Sequence, residues 1–105
     1  MRKFCPEKKE ITAYESLFTA LPIANVHDPC QVLLARLTKG NKIGWHQATV
    51  SQRLICLSGE VNVRGTDNHF TLYAGEGVEW TKEEWHETVA LKEALLLIVE
   101  ASSFE

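Results

Sequence analysis

The chain has 105 residues, which fits one domain and is too short for two of ordinary size. Its composition, 45% hydrophobic and 24% charged, is typical of a globular protein and argues against a disordered chain. Acidic residues outnumber basic ones by 14 to 11, and no basic stripe of the kind that neutralises phosphates is present. We therefore expect no nucleic-acid partner.

The N-terminal residues and the cysteines bear on the expected cellular location of the protein. Charged residues interrupt the N-terminal region before any apolar stretch develops, so no signal peptide is predicted. The longest apolar run, 94–99, is far shorter than the roughly 20 residues that cross a bilayer. Cys5, Cys30 and Cys56 show no C-x-x-C spacing, and Cys56 lies in an alternating segment typical of a buried thiol. We expect a cytoplasmic protein with reduced thiols and no membrane association.

Residues 1–20 are mostly polar and lack the alternation of strand-like segments and turns seen in the rest of the chain. They are predicted to form an N-terminal segment ahead of a single domain over residues 21–105. Four apolar residues are spaced three or four apart, which is compatible with a short amphipathic helix: Ile11, Tyr14, Leu17 and Phe18. The alternative is an extended segment that lies across the domain or reaches a partner subunit.

From residue 21 onward, short strand-like segments alternate with turn signals. Strands are predicted over 30–38, 52–57, 60–64, 69–73, 78–80, 85–90 and 94–100. The dipeptide Ser58-Gly59 predicts a tight hairpin turn, and the apolar residues on both sides of 30–38 predict a strand covered on both faces. About seven or eight short strands without a long helix indicate an all-β sandwich or barrel.

Three polar residues on these segments are candidates for a site. His46 follows Gly44-Trp45 at the predicted start of a strand, and Gln52 begins an alternating set that points to one face. His86 lies some way further along the chain, in another alternating segment. Imidazole nitrogens bind metals or hydrogen-bond ligands, and an amide offers both a donor and an acceptor.

The spacing of these residues resembles the cupin superfamily, whose motifs read G-x5-H-x-H-x3–4-E-x6-G and G-x5-P-x-G-x2-H-x3-N. The residues in register are Gly40, His46, Gln52 and Gly59 in the first motif, and Gly75 and His86 in the second. The resemblance covers residues 39–101. It implies a cupin-type double-stranded β-helix, which is a jelly-roll barrel.

The resemblance also implies a metal site, from which this sequence departs. Metal-binding members use three His and one Glu, and those positions are here His46, Ala48, Gln52 and His86. Ala48 replaces the second motif His and cannot act as a ligand, and an amide oxygen is a poorer donor than a carboxylate. One divalent ion (Zn, Fe, Mn or Ni) bound by His46, His86 and Gln52 is therefore one alternative, and a metal-free pocket is the other.

The second motif departs as well. Thr81 and Glu83 stand where the family has Pro and Gly, which predicts a differently shaped turn before His86. Glu84, just ahead of His86, is a candidate acid or base at the barrel mouth. Trp85 is a candidate for stacking on a bound ring, although large aromatics more often fill a core.

Three functions are compatible with these residues, and whether the protein is an enzyme stays open. The first is a small-ligand-binding cupin that holds a small polar molecule with His46, Gln52, His86 and Trp85. The second is a divalent-metal-dependent cupin enzyme of the isomerase or dioxygenase type. The third is a structural or interaction module with a vestigial pocket. A homodimer is expected in each case, because association protects exposed strand edges.

Overall fold

The computed structural model describes residues 1–105, which form strands along most of their length. The nine strands are β1 (Arg2–Phe4), β2 (Lys9–Ile11), β3 (Phe18–Ala20), β4 (Gln31–Leu37), β5 (Lys42–Gln47), β6 (Ser51–Arg64), β7 (His69–Tyr73), β8 (Gly77–Trp80) and β9 (Trp85–Ala101). One turn of 3₁₀ helix, Ala13–Glu15, lies between β2 and β3. The all-β class predicted from the sequence is confirmed. No helix in the chain has the length and apolar character that a membrane crossing requires.

The two long strands β6 and β9 pair with each other at the centre of a seven-stranded antiparallel sheet. They pair from Ser51 with Ala101 to Arg64 with Glu87, along almost their whole lengths. The first half of the sheet has the order β1-β8-β6-β9-β4. In the second half, β7 pairs with the C-terminal part of β6 and β5 pairs with the N-terminal part of β9.

The two halves meet at a bulge around Gly59, where the register between β6 and β9 shifts between Cys56 and Val61. Gly59 has a φ of 86°, and a Cβ there would collide with the carbonyl oxygen of Glu93. Only glycine fits this conformation and this close approach. The hairpin predicted at Ser58-Gly59 is therefore wrong, because the chain continues through the glycine as a bulged strand. The two strands predicted over 85–90 and 94–100 are likewise one strand, β9.

One core lies between the two halves. Its members come from the inward sides of both halves of the sheet, and they include Leu54, Val63, Leu72 and Leu96. Cys56 is fully buried among them, as predicted. Burial raises the pKa of the Cys56 thiol because the thiolate loses its hydration, and nearby carboxylates add to this effect. None of the three cysteines is in a disulfide.

Strand β4 is covered on one side and bare on the other. Leu33, Ala35 and Leu37 pack against the core. On the opposite side, Val32 is 57% exposed and Leu34 is 61% exposed. The prediction that both faces of this strand are covered is therefore wrong for the single chain.

The N-terminal segment is extended, and its helical content is limited to one turn. Strand β1 adds to the edge of β8, with Arg2 opposite Glu79. Strands β2 and β3 form a two-stranded hairpin that is hydrogen-bonded to no other strand. The chain then crosses the first half of the sheet, where the Arg53 guanidinium donates to the carbonyl oxygen of Ile23 at 2.8 Å.

Candidate functional site

His46 and His86 lie directly opposite each other on β5 and β9. Their ring centroids are 4.3 Å apart and their planes are tilted by 60°. Strand β5 has a β-bulge between these residues. Ile43 pairs with Thr88 and His46 pairs with His86, so β5 advances three residues where β9 advances two. This bulge turns both Ile43 and His46 inward, near the end of the strand rather than at its predicted start. His46 is exposed and His86 is buried, so the pair runs from the surface into the interior.

Trp80 connects Gln52 to the histidine pair. The indole Nε1–H of Trp80 donates to Oε1 of Gln52 at 3.1 Å, and the indole centroid lies 3.9 Å from that of His86. Gln52 and Trp80 are cross-strand partners on β6 and β8, so their side chains share one face. The structure thus brings the sequence candidates His46, Gln52 and His86 into one cluster. Trp80 has no motif or spacing that marks it in the sequence as the link between Gln52 and the histidine pair.

Backbone carbonyls fix the orientation of both imidazoles. Nδ1 of His46 lies 2.6 Å from the oxygen of Gly44, and Nδ1 of His86 lies 3.3 Å from the oxygen of Glu84. Because a carbonyl oxygen can only accept a hydrogen bond, each Nδ1 carries the hydrogen. In a neutral ring this leaves Nε2 as an acceptor. No buried side-chain nitrogen or oxygen lacks a partner, so the unbonded Nε2 of His86 must reach solvent.

His86 is neutral at physiological pH. Its pKa is lowered from 6.5 to about 4, chiefly by burial and to a smaller extent by the neighbouring His46, while the hydrogen bond to the Glu84 carbonyl opposes the shift. Gln52, whose oxygen is held by Trp80, keeps its amide N–H groups free of any partner within the chain. The cluster therefore presents imidazole acceptors and an amide donor.

Glu84 is engaged elsewhere. Its carboxylate accepts hydrogen bonds from the backbone N–H of Thr81 at 3.2 Å and from the Thr81 hydroxyl at 2.9 Å. It also forms an ion pair with the amino group of Met1. Burial would raise the pKa of Glu84, but these hydrogen bonds outweigh burial and the pKa is lowered. Glu84 is thus an ionised carboxylate, which disfavours the acid role considered from the sequence.

Trp85 lies on the other face of β9. Adjacent residues of a strand point to opposite sides, so the inward His86 directs Trp85 outward. There Trp85 stacks on Trp45 with ring centroids 6.2 Å apart. The guanidinium of Arg64 lies 4.4 Å from the centre of the Trp45 ring. The structure therefore places Trp85 apart from the histidine pair.

The turn before His86 has a left-handed residue at the position of the motif glycine. Glu83 has a φ of 79°, a region that favours glycine. Its N–H donates to the oxygen of Ala48 at 2.8 Å, and the N–H of Ala48 donates to the oxygen of Glu84 at 2.9 Å. The backbone conformation that glycine favours is thus present with a glutamate, contrary to the expectation of a differently shaped turn.

The residues around the histidine pair do not fit a divalent metal ion. The predicted ligands His46 and His86 supply two nitrogens, and Oε1 of the third, Gln52, already accepts the Trp80 hydrogen bond. Ala48 is buried and brings no donor. No group of three or more His, Cys, Asp or Glu side chains is placed to hold a metal ion. Protein metal sites of this kind use three or four strong donors.

No large cavity opens at the cluster. None of the five main cavities is lined by His46, Gln52 or His86. The Trp80 ring lies against His86 on the inner side. A molecule that contacts the cluster must therefore approach from the exposed side, at His46.

Comparison with known proteins identifies the fold. No family model matches the chain, and no curated protein matches its sequence. The structure is similar to an RmlC-like cupin family protein with a double-stranded β-helix fold from Methanocaldococcus jannaschii, with a TM-score of 0.64, 17% identity and 69% of each chain covered. It is also similar to a cupin superfamily protein from Desulfitobacterium hafniense, with a TM-score of 0.68, 14% identity, and 75% of this chain and 72% of that chain covered.

A third similar structure is a salicylate 1,2-dioxygenase from Pseudoaminobacter salicylatoxidans, with a TM-score of 0.64 and 12% identity. The similarity covers 76% of this chain and 22% of the dioxygenase. At these identities the similarity establishes architecture alone, and it agrees with the glycine and histidine spacing of the sequence. The chain has the double-stranded β-helix fold of the cupin superfamily.

Proposed function

We propose that the protein binds a small, uncharged polar molecule at the His46–His86 pair. The observation that carries this proposal is the pairing of both Nδ1 atoms with backbone carbonyls, which leaves the Nε2 atom of each ring free, on rings whose centroids are 4.3 Å apart. Neighbouring hydroxyl or amide N–H groups on one molecule are suitable donors to such a pair. An anion is disfavoured because the low pKa of His86 keeps that ring uncharged.

The surroundings of the pair support a small ligand with an acceptor of its own. The free amide N–H groups of Gln52 can donate to a ligand oxygen, while the hydrogen bond from Trp80 fixes the orientation of the amide. The Trp80 ring restricts the depth of the site, because it lies against His86. Polyols, hydroxycarbonyl compounds and amides have this combination of groups.

The metal-dependent alternative has less support. The dioxygenase shares the fold with this chain, but its activity is not transferred, since no group of three or more His, Cys, Asp or Glu side chains in this chain is placed to hold a metal ion. The interaction-module alternative concerns the outer surface and is compatible with ligand binding. The histidine pair is the feature that distinguishes the ligand-binding proposal from both.

A titration followed by NMR tests the proposal. The probes are glycerol, glucose, dihydroxyacetone and acetamide, and the readouts are the ring-proton signals of His46 and His86. We expect saturable shifts with at least one probe, and binding about tenfold weaker or worse in His46→Ala. His69→Ala is the matched control, because His69 is an exposed histidine on β7. Absence of saturation with every probe, or equal binding by His46→Ala, would contradict the proposal.

A metal titration separates the enzyme alternative. Zn²⁺ and Mn²⁺ are added to chelator-treated protein and binding is followed by calorimetry. We expect no tight stoichiometric binding at the histidine pair, because two imidazoles and an engaged amide are a weak donor set. Tight binding of one ion per chain that is lost in His46→Ala would support the metal-dependent enzyme instead.

A further inference from the structure

The turn of residues 81–84 connects β8 to β9 and keeps its shape without the two motif residues that would favour it. A proline at the position of Thr81 would fix φ and bring no N–H group, and a glycine at the position of Glu83 would accept a positive φ. Thr81 instead adds an N–H and a hydroxyl group, and Glu83 has a φ of 79°. Another contact must therefore hold this turn.

The carboxylate of Glu84 supplies that contact. Its Oε1 accepts hydrogen bonds from the backbone N–H and the hydroxyl of Thr81, at 3.2 Å and 2.9 Å, which ties the two ends of the turn together. Its Oε2 pairs with the amino group of Met1, which directly precedes β1 on the edge of β8. The carboxylate therefore holds the turn both to itself and to the N-terminal strand.

The backbone carbonyl of the same residue contacts the histidine site. It accepts the N–H of Ala48 at 2.9 Å and lies 3.3 Å from Nδ1 of His86. A carbonyl oxygen has two lone pairs and can serve both donors. The contact to His86 is long for a hydrogen bond, so a small movement of the turn would break it. The position of this carbonyl therefore determines whether His86 carries its hydrogen on Nδ1.

We propose that Glu84 is a positioning residue of the histidine site. Its carboxylate holds the turn so that its own carbonyl keeps the hydrogen of His86 on Nδ1, which leaves Nε2 open to a ligand. This inference rests on the proposed function, and it assigns Glu84 an orienting role in place of the acid or base role considered from the sequence. The carboxylate replaces the rigidity that a proline and a glycine would give the turn.

The tautomer of His86 tests the proposal, since a residue that only stabilises the fold would not change it. Long-range ¹H–¹⁵N NMR spectra at pH 7.5 are compared for the full-length wild-type chain and for Glu84→Ala. The ratio of the Nδ1–H to the Nε2–H form of His86 is expected to fall about fivefold in Glu84→Ala, which is the effect of losing one hydrogen bond. Glu84→Gln keeps an oxygen acceptor for Thr81 and is expected to restore the Nδ1–H form.

Glu79→Ala is the matched control. Glu79 is a carboxylate on β8 that pairs with Arg2 of β1 and with Arg53, so its loss weakens the same edge of the sheet. Its hydrogen bonds go to these two arginines and not to the turn, so the tautomer ratio is expected to stay unchanged. Thr81→Val removes the hydroxyl donor with little change in size and is expected to shift the ratio in the same direction as Glu84→Ala. Circular dichroism shows which variants fold.

An unchanged ratio in folded Glu84→Ala overturns the proposal, and Thr81→Val decides in the same way if Glu84→Ala does not fold. An equal shift in Glu79→Ala also overturns it, because the change would then reflect a general loss of stability. Titration of the wild-type chain with glycerol and glucose tests the proposed function separately. A tautomer shift in Glu84→Ala without binding of either probe would support the positioning of His86 and contradict only the ligand.

Discussion

Acidification should destabilise the protein through His86, and the size of the effect follows from its burial. The pKa of His86 is lowered from 6.5 to about 4 in the folded chain. Well above pH 6.5 the His86 ring is neutral in both the folded and the unfolded chain, so its titration does not change the free energy of unfolding. As the pH falls below 6.5, His86 becomes protonated in the unfolded chain but stays neutral in the folded chain. The free energy of unfolding therefore decreases progressively until about pH 4.

The loss between pH 7 and pH 5 is about 2 kcal/mol from the full shift, and about 1 kcal/mol after allowance for solvent at the barrel mouth. Urea unfolding followed by tryptophan fluorescence at both pH values measures it. His86→Phe keeps an aromatic ring against Trp80 and removes the titration, so most of this loss should disappear. His69→Ala, the surface control, should keep it.

An equal loss of stability in His86→Phe and in the wild-type chain would refute this reasoning. So would an NMR titration in which His86 protonates near 6.5. The window above pH 5 is chosen because carboxylates such as Glu79 and Glu84, whose pKa values are lowered by their partners, lose their stabilising effect only at lower pH.

Three further predictions concern the backbone and the buried thiol. Gly59→Ala should lower the free energy of unfolding in urea by about 3 kcal/mol, because the new Cβ at this left-handed position meets the backbone of Glu93. Gly44→Ala, with open space around it, should lower it by less than about 1 kcal/mol. Equal losses in the two variants would contradict the bulge. Glu83→Gly should stabilise the chain by about 1 kcal/mol by relieving its positive φ, and a loss of stability would show that the Glu83 side chain matters more. Cys56 should react with a thiol reagent only on unfolding, while the two exposed thiols react at once; three fast thiols would contradict its burial.

The glycine spacing explains why the fold could be predicted from so degenerate a motif. Gly40, Gly59 and Gly75, the motif glycines, all have positive φ, between 85° and 88°. Such positions strongly favour glycine, so their spacing along the chain records where the sheet turns or bulges. Glu83 shows the limit of this signal, since a left-handed position there carries no glycine.

The continuous strand β6 could not be predicted, because a hairpin turn and a bulge share the same local signal. A glycine with positive φ suits either one. What decides between them is the distant strand β9, whose carbonyl oxygen at Glu93 approaches Gly59. A contact between residues this far apart in the chain cannot be predicted from the local sequence around Gly59.

The convergence of the site candidates was partly predictable. Alternation along the strands correctly directs Gln52 and Thr88 inward with His86. The same alternation directs Trp85 outward, and applying it would have excluded Trp85 from the cluster. The position of Trp80 depends on its cross-strand pairing with Gln52, which requires the strand order and register.

His46 and His86 are held side by side with both Nδ1 atoms hydrogen-bonded to backbone carbonyls, so that both Nε2 atoms face a ligand. A long-range ¹H–¹⁵N NMR spectrum of the full chain at pH 7.5 tests this arrangement most directly. We expect the Nδ1–H tautomer for both rings, with NOEs between the ring protons of the two histidines. An Nε2–H tautomer or a charged ring at His86, or the absence of these NOEs, would contradict it.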